Sequence, residues 1–198
     1  MAKTLRSGDP AVQYLLDKDS IRDVLTRYCR GIDRVDSEVL ESVFWPDAPT
    51  DYFAYVGLSP GFVDFMMEAL PQIEQTTHMI GNILLNMAGE KCEAETYVQA
   101  YHRMRAPASP LPPGSKKGTP WDFVLGARYI DHFEKRDDEW RIARRYLCWD
   151  WCRNYSDSFD PAAGMLGLSV PRGGLRKPDD EIYKRFSIPT GFAKGRDS

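Results

Sequence analysis

Three histidines are the side chains of this 198-residue chain whose ordinary pKa lies closest to neutral pH, so proton chemistry is sought there first. His78 stands in Gln75-Thr76-Thr77-His78-Met79-Ile80-Gly81-Asn82, where a helical pattern gives way to a strand pattern. Such junctions form pocket rims, and the imidazole there reads either as an acid-base group or as a core histidine with a satisfied partner. His102 lies on the less polar side of an alternating run and must find a partner on that face. His132, in Asp131-His132-Phe133-Glu134 beside a charged turn, reads as structural or solvated. Asp33 follows the apolar stripe of a helix in Arg30-Gly31-Ile32-Asp33-Arg34, where the helix dipole disfavours a carboxylate. It therefore needs a partner: Arg30 or Arg34 in a salt bridge, or a histidine that it orients. Tyr28 belongs to the same stripe, and its hydroxyl requires a polar partner if it is buried. In Trp140-Arg141-Ile142-Ala143-Arg144-Arg145-Tyr146 adjacent arginines must point to opposite faces, so Arg144 or Arg145 faces inward and requires an anionic or accepting group.

The elements that must position these residues follow from periodicity. Ile21, Val24, Leu25, Tyr28, Cys29 and Ile32 recur at helical spacing behind Asp19 or Ser20 as cap. A second helix is expected over 37–44, with Asp36 as cap and Trp45-Pro46-Asp47 as stop, forming a helical hairpin with the first. A third, mostly buried helix is expected over 61–73, interrupted near Pro71. From His78 onward the period becomes that of strands, expected at about 78–87, 92–104, 121–134 and 140–153. Tight links at 88–91 and 135–139 make them an antiparallel meander. In the second strand Cys92, Ala94, Thr96, Val98, Ala100, His102 and Met104 share one face. The Pro-, Gly- and Ser-rich stretch 106–118 reads as a long loop of the kind that serves as a lid. A domain over 12–153 is followed by an extended tail over 154–198, with apolar residues that suggest it packs on something.

Composition bounds the function. With 42% hydrophobic and 28% charged residues and a net charge of −3, the chain is of ordinary globular balance. Its lysines and arginines are scattered among acids, unlike the concentrated basic surface of a nucleic-acid binder. Neither a signal peptide nor a membrane-length apolar run is apparent, so the expected location is the cytoplasm. Cys29, Cys92, Cys148 and Cys152 lack the pairing of a metal knuckle or disulfide scaffold and read as buried reduced thiols. There is no phosphate loop, nucleophile elbow or His-Glu-x-x-His helix, and no metal or organic cofactor is expected. Tyr52, Phe53, Tyr55, Trp121, Trp149 and Trp151 supply aromatic surface suited to core packing or to a flat or ring-shaped ligand.

Helix, helix, helix and a four-stranded meander, carried by Ile21 to Leu25, Tyr28 to Asp33, Thr77 to Asn82, Ala100 to Arg103 and Trp140 to Arg145, resemble the SnoaL-like branch of the nuclear-transport-factor-2-like superfamily. The resemblance implies an α+β fold in which a cone-shaped, curved antiparallel sheet packs with N-terminal helices. It also implies a cofactor-free lyase of the kind seen in scytalone dehydratase, bile acid dehydratases and hexachlorocyclohexane dehydrochlorinase. By the resemblance His78 is the base and Asp33 the group that orients it, with Tyr28, His102 and Arg145 completing the catalytic set. Strand parity then turns Leu125, Ala127, Tyr129, Leu147 and Trp149 into the cone, with Tyr52 and Tyr55 as further substrate-binding aromatics. The family includes lyases that release water and formaldehyde from lignin-derived diarylpropanes, and the aromatic content suits such a hydrophobic substrate. It also includes isomerases and cyclases, and binding scaffolds without catalysis. A homo-oligomer is implied, a trimer by preference, with the tail over the cone mouth or a neighbouring subunit.

Overall fold

Asp9 and Pro10 start the first helix: the Asp9 carboxylate accepts from the amides of Ala11 and Val12, and Pro10 occupies the first turn, where no amide is needed. Helix α1 therefore runs Pro10–Arg34, about ten residues longer at its N-terminus than the apolar stripe alone indicates. Its early turns bury only Asp17 and leave Val12, Tyr14 and Leu15 exposed, and Asp19 and Ser20 lie inside the helix and cap nothing. Asp17 anchors them instead, accepting from the Trp140 indole at 2.8 Å and Lys135 Nζ at 2.9 Å. Val35 closes α1 in the left-handed conformation, and Asp36 caps α2, Ser37–Val43. A Cβ on Gly31 would lie 2.8 Å from the Leu40 side chain, so this glycine is what allows α2 to cross α1 so closely.

The computed structural model describes residues 5–105, 119–156 and 175–185. Two short strands that the periodicity does not predict, β1 (Pro49–Asp51) and β2 (Val56–Leu58), precede helix α3, Ser59–Ala69. Three residues each are too few to show a period. A turn of 3-10 helix at Leu70–Gln72 follows α3 and contains Pro71. Contrary to expectation, α3 is not mostly buried: Ser59, Phe62 and Val63 are its buried residues, and Met66 and Met67 are only partly covered. Strands β3 (Ile73–Ala88), β4 (Lys91–Met104), β5 (Trp121–Arg136) and β6 (Glu139–Ser156) form the predicted antiparallel meander. Strand β3 starts earlier than predicted, so His78 lies within the strand rather than at its first residue. The sheet order is β2-β1-β6-β5-β4-β3, with β1 parallel to β6.

Register shifts at Ile80/Ile83 in β3 and, in β6, at Asp150 opposite Gly126/Ala127 and at Ala143 opposite His132/Phe133 add bulges that bend the sheet without closing it. Ile21, Val24, Leu25 and Tyr28 of α1 pack with Cys92, Ala94, Val98, Ala100, Leu125, Ala127 and Tyr129 in one core. The helices thus lie on the inner face of an α+β cone. Cys29 and Cys92 are buried free thiols, whereas Cys148 is half-buried and Cys152 is exposed. The proposed lid over 106–118 and most of the tail lie outside the described residues. Among those described, no helix is long and apolar enough to cross a membrane.

Candidate active site

Pairing along the sheet decides which side chains meet. Thr76 lies opposite His102, His78 opposite Ala100, Ala100 opposite Leu125 and His102 opposite Phe123. Directly opposed residues share a face, so these residues point to the helical side of the sheet. Asp33, at the last turn of α1, meets His78 there. One carboxylate oxygen lies 2.7 Å from His78 Nδ1, and the other accepts the His78 backbone amide at 2.9 Å. Both side chains are about 10% exposed. An ionised carboxylate can only accept, so Nδ1 carries the proton and Nε2 is the nitrogen left for proton transfer. Burial pushes the Asp33 carboxyl up, but hydrogen bonds from His78 and from the Thr76 hydroxyl outweigh it and hold Asp33 below its ordinary value.

The His78 ring meets His102 edge to face at 5.4 Å, His102 meets Phe123 at 5.8 Å, and Phe123 meets Trp149 at 6.1 Å. Burial, reinforced by the neighbouring His78, pushes His102 down to about 3. The His102 ring is therefore neutral at neutral pH. Its expected partner is the Phe123 backbone, while buried Nδ1 makes no hydrogen bond.

Arg145 is the inward arginine, and Arg144 is exposed. Its guanidinium lies between the rings of Tyr28 and Tyr129, 4.2 and 4.1 Å from their centroids. Nε and one terminal nitrogen each donate to Asp131 at 2.7 Å. The remaining terminal nitrogen lies 3.4 Å from the Tyr52 hydroxyl, which donates to the Tyr28 hydroxyl at 2.8 Å. Burial pushes Asp131 up against the pull of Arg145, while Asp131 overcomes the cost of burial to hold Arg145 well above its ordinary value. Burial also raises Tyr28 and Tyr129 well above the usual phenol range.

The remaining aromatic and apolar candidates separate. Leu125, Ala127 and Tyr129 are buried on the inner face, and Leu147 is partly covered. Trp149 lies opposite Ala127 on that face but is 47% exposed. Tyr52 is enclosed by the Tyr28 and Arg145 contacts. Tyr55 is not brought to the histidines: it packs on Phe62 and Phe65, and its hydroxyl donates to the Leu58 carbonyl at 2.9 Å. His132 is exposed. Among the described residues no group of three or more His, Cys, Asp or Glu side chains is placed to hold a metal ion.

Asp131, Thr76, Phe123 and Arg176 belong to these networks and are missing from the sequence reading. Phe123 and Asp131 share the parity of Leu125 and Tyr129, and a buried arginine calls for an acid directly across the strand pair. That signal was available. None existed for Arg176, which arrives from the tail.

The SnoaL-like domain family matches residues 13–146. An uncharacterized protein of Mycobacterium tuberculosis strain H37Rv is 28% identical over 138 residues, covering 68% of this chain and 86% of its own. Among solved structures, a hexachlorocyclohexane dehydrochlorinase has a TM-score of 0.65 at 19% identity, covering 76% of this chain and 97% of that one. A Novosphingobium aromaticivorans protein named as a candidate scytalone dehydratase has a TM-score of 0.59 at 21% identity, covering 72% and 89%. At such identities these structures establish the shared fold.

Proposed function

Because the chain belongs to the SnoaL-like domain family, whose structural relatives include a dehydrochlorinase, we propose that it is a cofactor-independent lyase acting on a hydrophobic aromatic or polycyclic alcohol. The observation that carries the proposal is the Asp33–His78 pair, in which both carboxylate oxygens are engaged by one histidine. His78 Nε2 takes a proton from the substrate, and Asp33 supports the imidazolium that results. In a simple elimination the C–H electrons become the new C=C bond. The C–O bond breaks, and the departing hydroxyl leaves as water with the proton that the His78 imidazolium returns. The neutral His102 supplies an acceptor for a substrate hydroxyl, and Tyr28 a donor. Arg145 acts through Tyr52 and Tyr28, since two of its nitrogens are held by Asp131 and the third faces the Tyr52 hydroxyl. A diarylpropane losing water and formaldehyde suits the line of rings from His102 to Trp149.

The outer face of the sheet exposes Met79, Tyr97, Tyr146, Trp151 and Tyr155, which supports a homo-oligomer, with a trimer preferred. Segment 175–185 lies beside Asp33 and Thr76, which supports a tail that covers the pocket or a neighbouring one.

The test is a turnover screen in chelator-treated buffer with phenolic diarylpropanediols, hydroxysteroids and hydroxylated polyketides, reading loss of water or formaldehyde by mass. Wild type is run beside His78→Ala, which should lose about two to four orders of magnitude in rate. Near-normal turnover in that variant would reject the assignment of His78 as the base. Product of unchanged mass would identify an isomerase or cyclase using the same pair, and no reaction with any compound would favour a binding scaffold.

A further inference from the structure

Helix α1 ends with carbonyls that have no partner within the helix, and residues from the far end of the sequence satisfy two of them. The backbone amide of Lys177 donates to the Arg34 carbonyl at 2.8 Å. One terminal nitrogen of Arg176 donates to the Asp33 carbonyl and, at 2.8 Å, to the Thr76 hydroxyl oxygen; the other lies 3.3 Å from the Ile73 carbonyl. Around this segment Arg34 pairs with Asp180 at 3.7 Å, Lys177 Nζ with Asp36 at 3.0 Å, and the Tyr183 hydroxyl with Asp36 at 2.7 Å. The segment 175–185 is thus fastened to the helix end that carries Asp33.

We propose that Arg176 is a positioning residue for the Asp33–His78 pair, acting through the Thr76 hydroxyl. Thr76 is fully buried and has a single hydroxyl proton. Arg176 has only donors, so Thr76 must accept from it, and its one proton is left to face Asp33, whose carboxyl it helps hold down. The guanidinium therefore removes the rotational choice of that hydroxyl. It also places a cation at a helix C-terminus, offsetting the unfavourable position of the carboxylate there. The groups that face Asp33 are His78 and Thr76 from β3, His102 from β4, Cys29 and Arg34 from α1, and Arg176 from the tail. Burial lowers the Arg176 pKa, and Asp33 is the neighbour that opposes that loss.

This inference deepens the role proposed for the pair, but its test needs no substrate. In the full chain labelled with nitrogen-15 histidine, the His78 Nδ1 proton held by Asp33 should appear as a protected downfield resonance at neutral pH. In Arg176→Met its exchange with solvent should accelerate about tenfold or more, as expected for losing a charge-assisted hydrogen bond. Arg176→Lys should restore only part, because an ammonium lacks the planar fork that spans three acceptors. In a Thr76→Val background the Arg176→Met effect should shrink to less than about half, the mark of residues acting in series. Lys177→Met, which loses tail contacts to Asp36 and Glu38, should lower the melting temperature without changing the exchange rate.

Unchanged exchange in Arg176→Met, with only a lower melting temperature, would reduce Arg176 to a tail anchor and overturn the proposal. So would fully additive effects with Thr76→Val, or an unprotected Nδ1 proton in the wild type. Altered exchange in a protein that turns over nothing would leave the positioning role standing and remove the lyase reading instead.

Discussion

Two hydrogen-bonded pairs, each with a carboxylate, share the inner face of this cone, and they differ in what surrounds them. Arg145 and Asp131 are 0% exposed, bonded twice to each other and held between Tyr28 and Tyr129. Asp33 and His78 are each about 10% exposed, and one ring nitrogen is left without a role in the pairing. A buried ion pair gains little net stability because desolvation offsets its attraction, yet removing one partner strands a charge in a dry core. A carboxylate and a histidine at a partly open site can instead exchange a proton with a ligand at modest cost. The first pair therefore fixes geometry, and the second is available for chemistry.

The largest expected effect tests that division. Asp131→Ala should destabilise the fold by about 3–5 kcal/mol, while His78→Gln should cost only about 1 kcal/mol. Chemical denaturation at constant m-value measures both. Replacing both members of the buried pair, as Arg145→Met with Asp131→Leu, should recover most of the loss. Equal costs for the two single variants would break the comparison.

Acidification sharpens it, because one histidine in the open region resists protonation. Folded His102 binds its proton only near pH 3, whereas the unfolded chain does so near its ordinary 6.5. The unfolded state thus holds more protons across that window, and stability must fall as pH drops through it. By pH 4 the loss from this group is about 3 kcal/mol, given 1.36 kcal/mol per unit. Asp33 acts lower still: its folded pKa is depressed, so its contribution is complete above the ordinary carboxylate value and is lost only as pH falls through the folded one. His102→Phe should accordingly flatten the stability profile between pH 6.5 and 4 and leave the steeper fall below pH 4 in place. A wild-type profile already flat there would mean that His102 is solvated.

How much of this was legible beforehand follows from the range of each signal. The stripe from Ile21 to Ile32 and the alternation from Cys92 to His102 are local, and they show Tyr28 on the buried stripe with Asp33 just after it and His102 on the less polar side of its strand; that His78 meets Asp33 there follows only from strand pairing. The first turns of α1 are marked by the Asp9-Pro10 start signal and by Val12, Leu15 and Leu16 at helical spacing, which the reading of the buried stripe alone leaves out. Asp131 becomes visible once β5 and β6 are paired in register, opposite Arg145. Arg176 is 143 residues from the Asp33 carbonyl it caps, and no periodicity spans that distance. Parity counting gives the face of Trp149, opposite Ala127, but not its exposure.

The smallest effect lies where the buried pair reaches outward. Tyr52 passes the influence of Arg145 to Tyr28 through one weak contact of 3.4 Å and one short hydrogen bond of 2.8 Å. Tyr52→Phe keeps the ring stacked on Phe62 at 4.3 Å and removes only the hydroxyl. The Tyr28 oxygen then loses its donor in a site where burial already disfavours any charge. A stability loss of about 1 kcal/mol is expected, measurable as a shift in denaturation midpoint. If Tyr28 donates to the substrate, the same variant should also lower kcat more than it raises KM, because an unsupported phenol is a poorer donor when charge develops. A change confined to stability would mean that the Arg145 region ends at Tyr52 and that the chemistry is left to Asp33, His78 and His102.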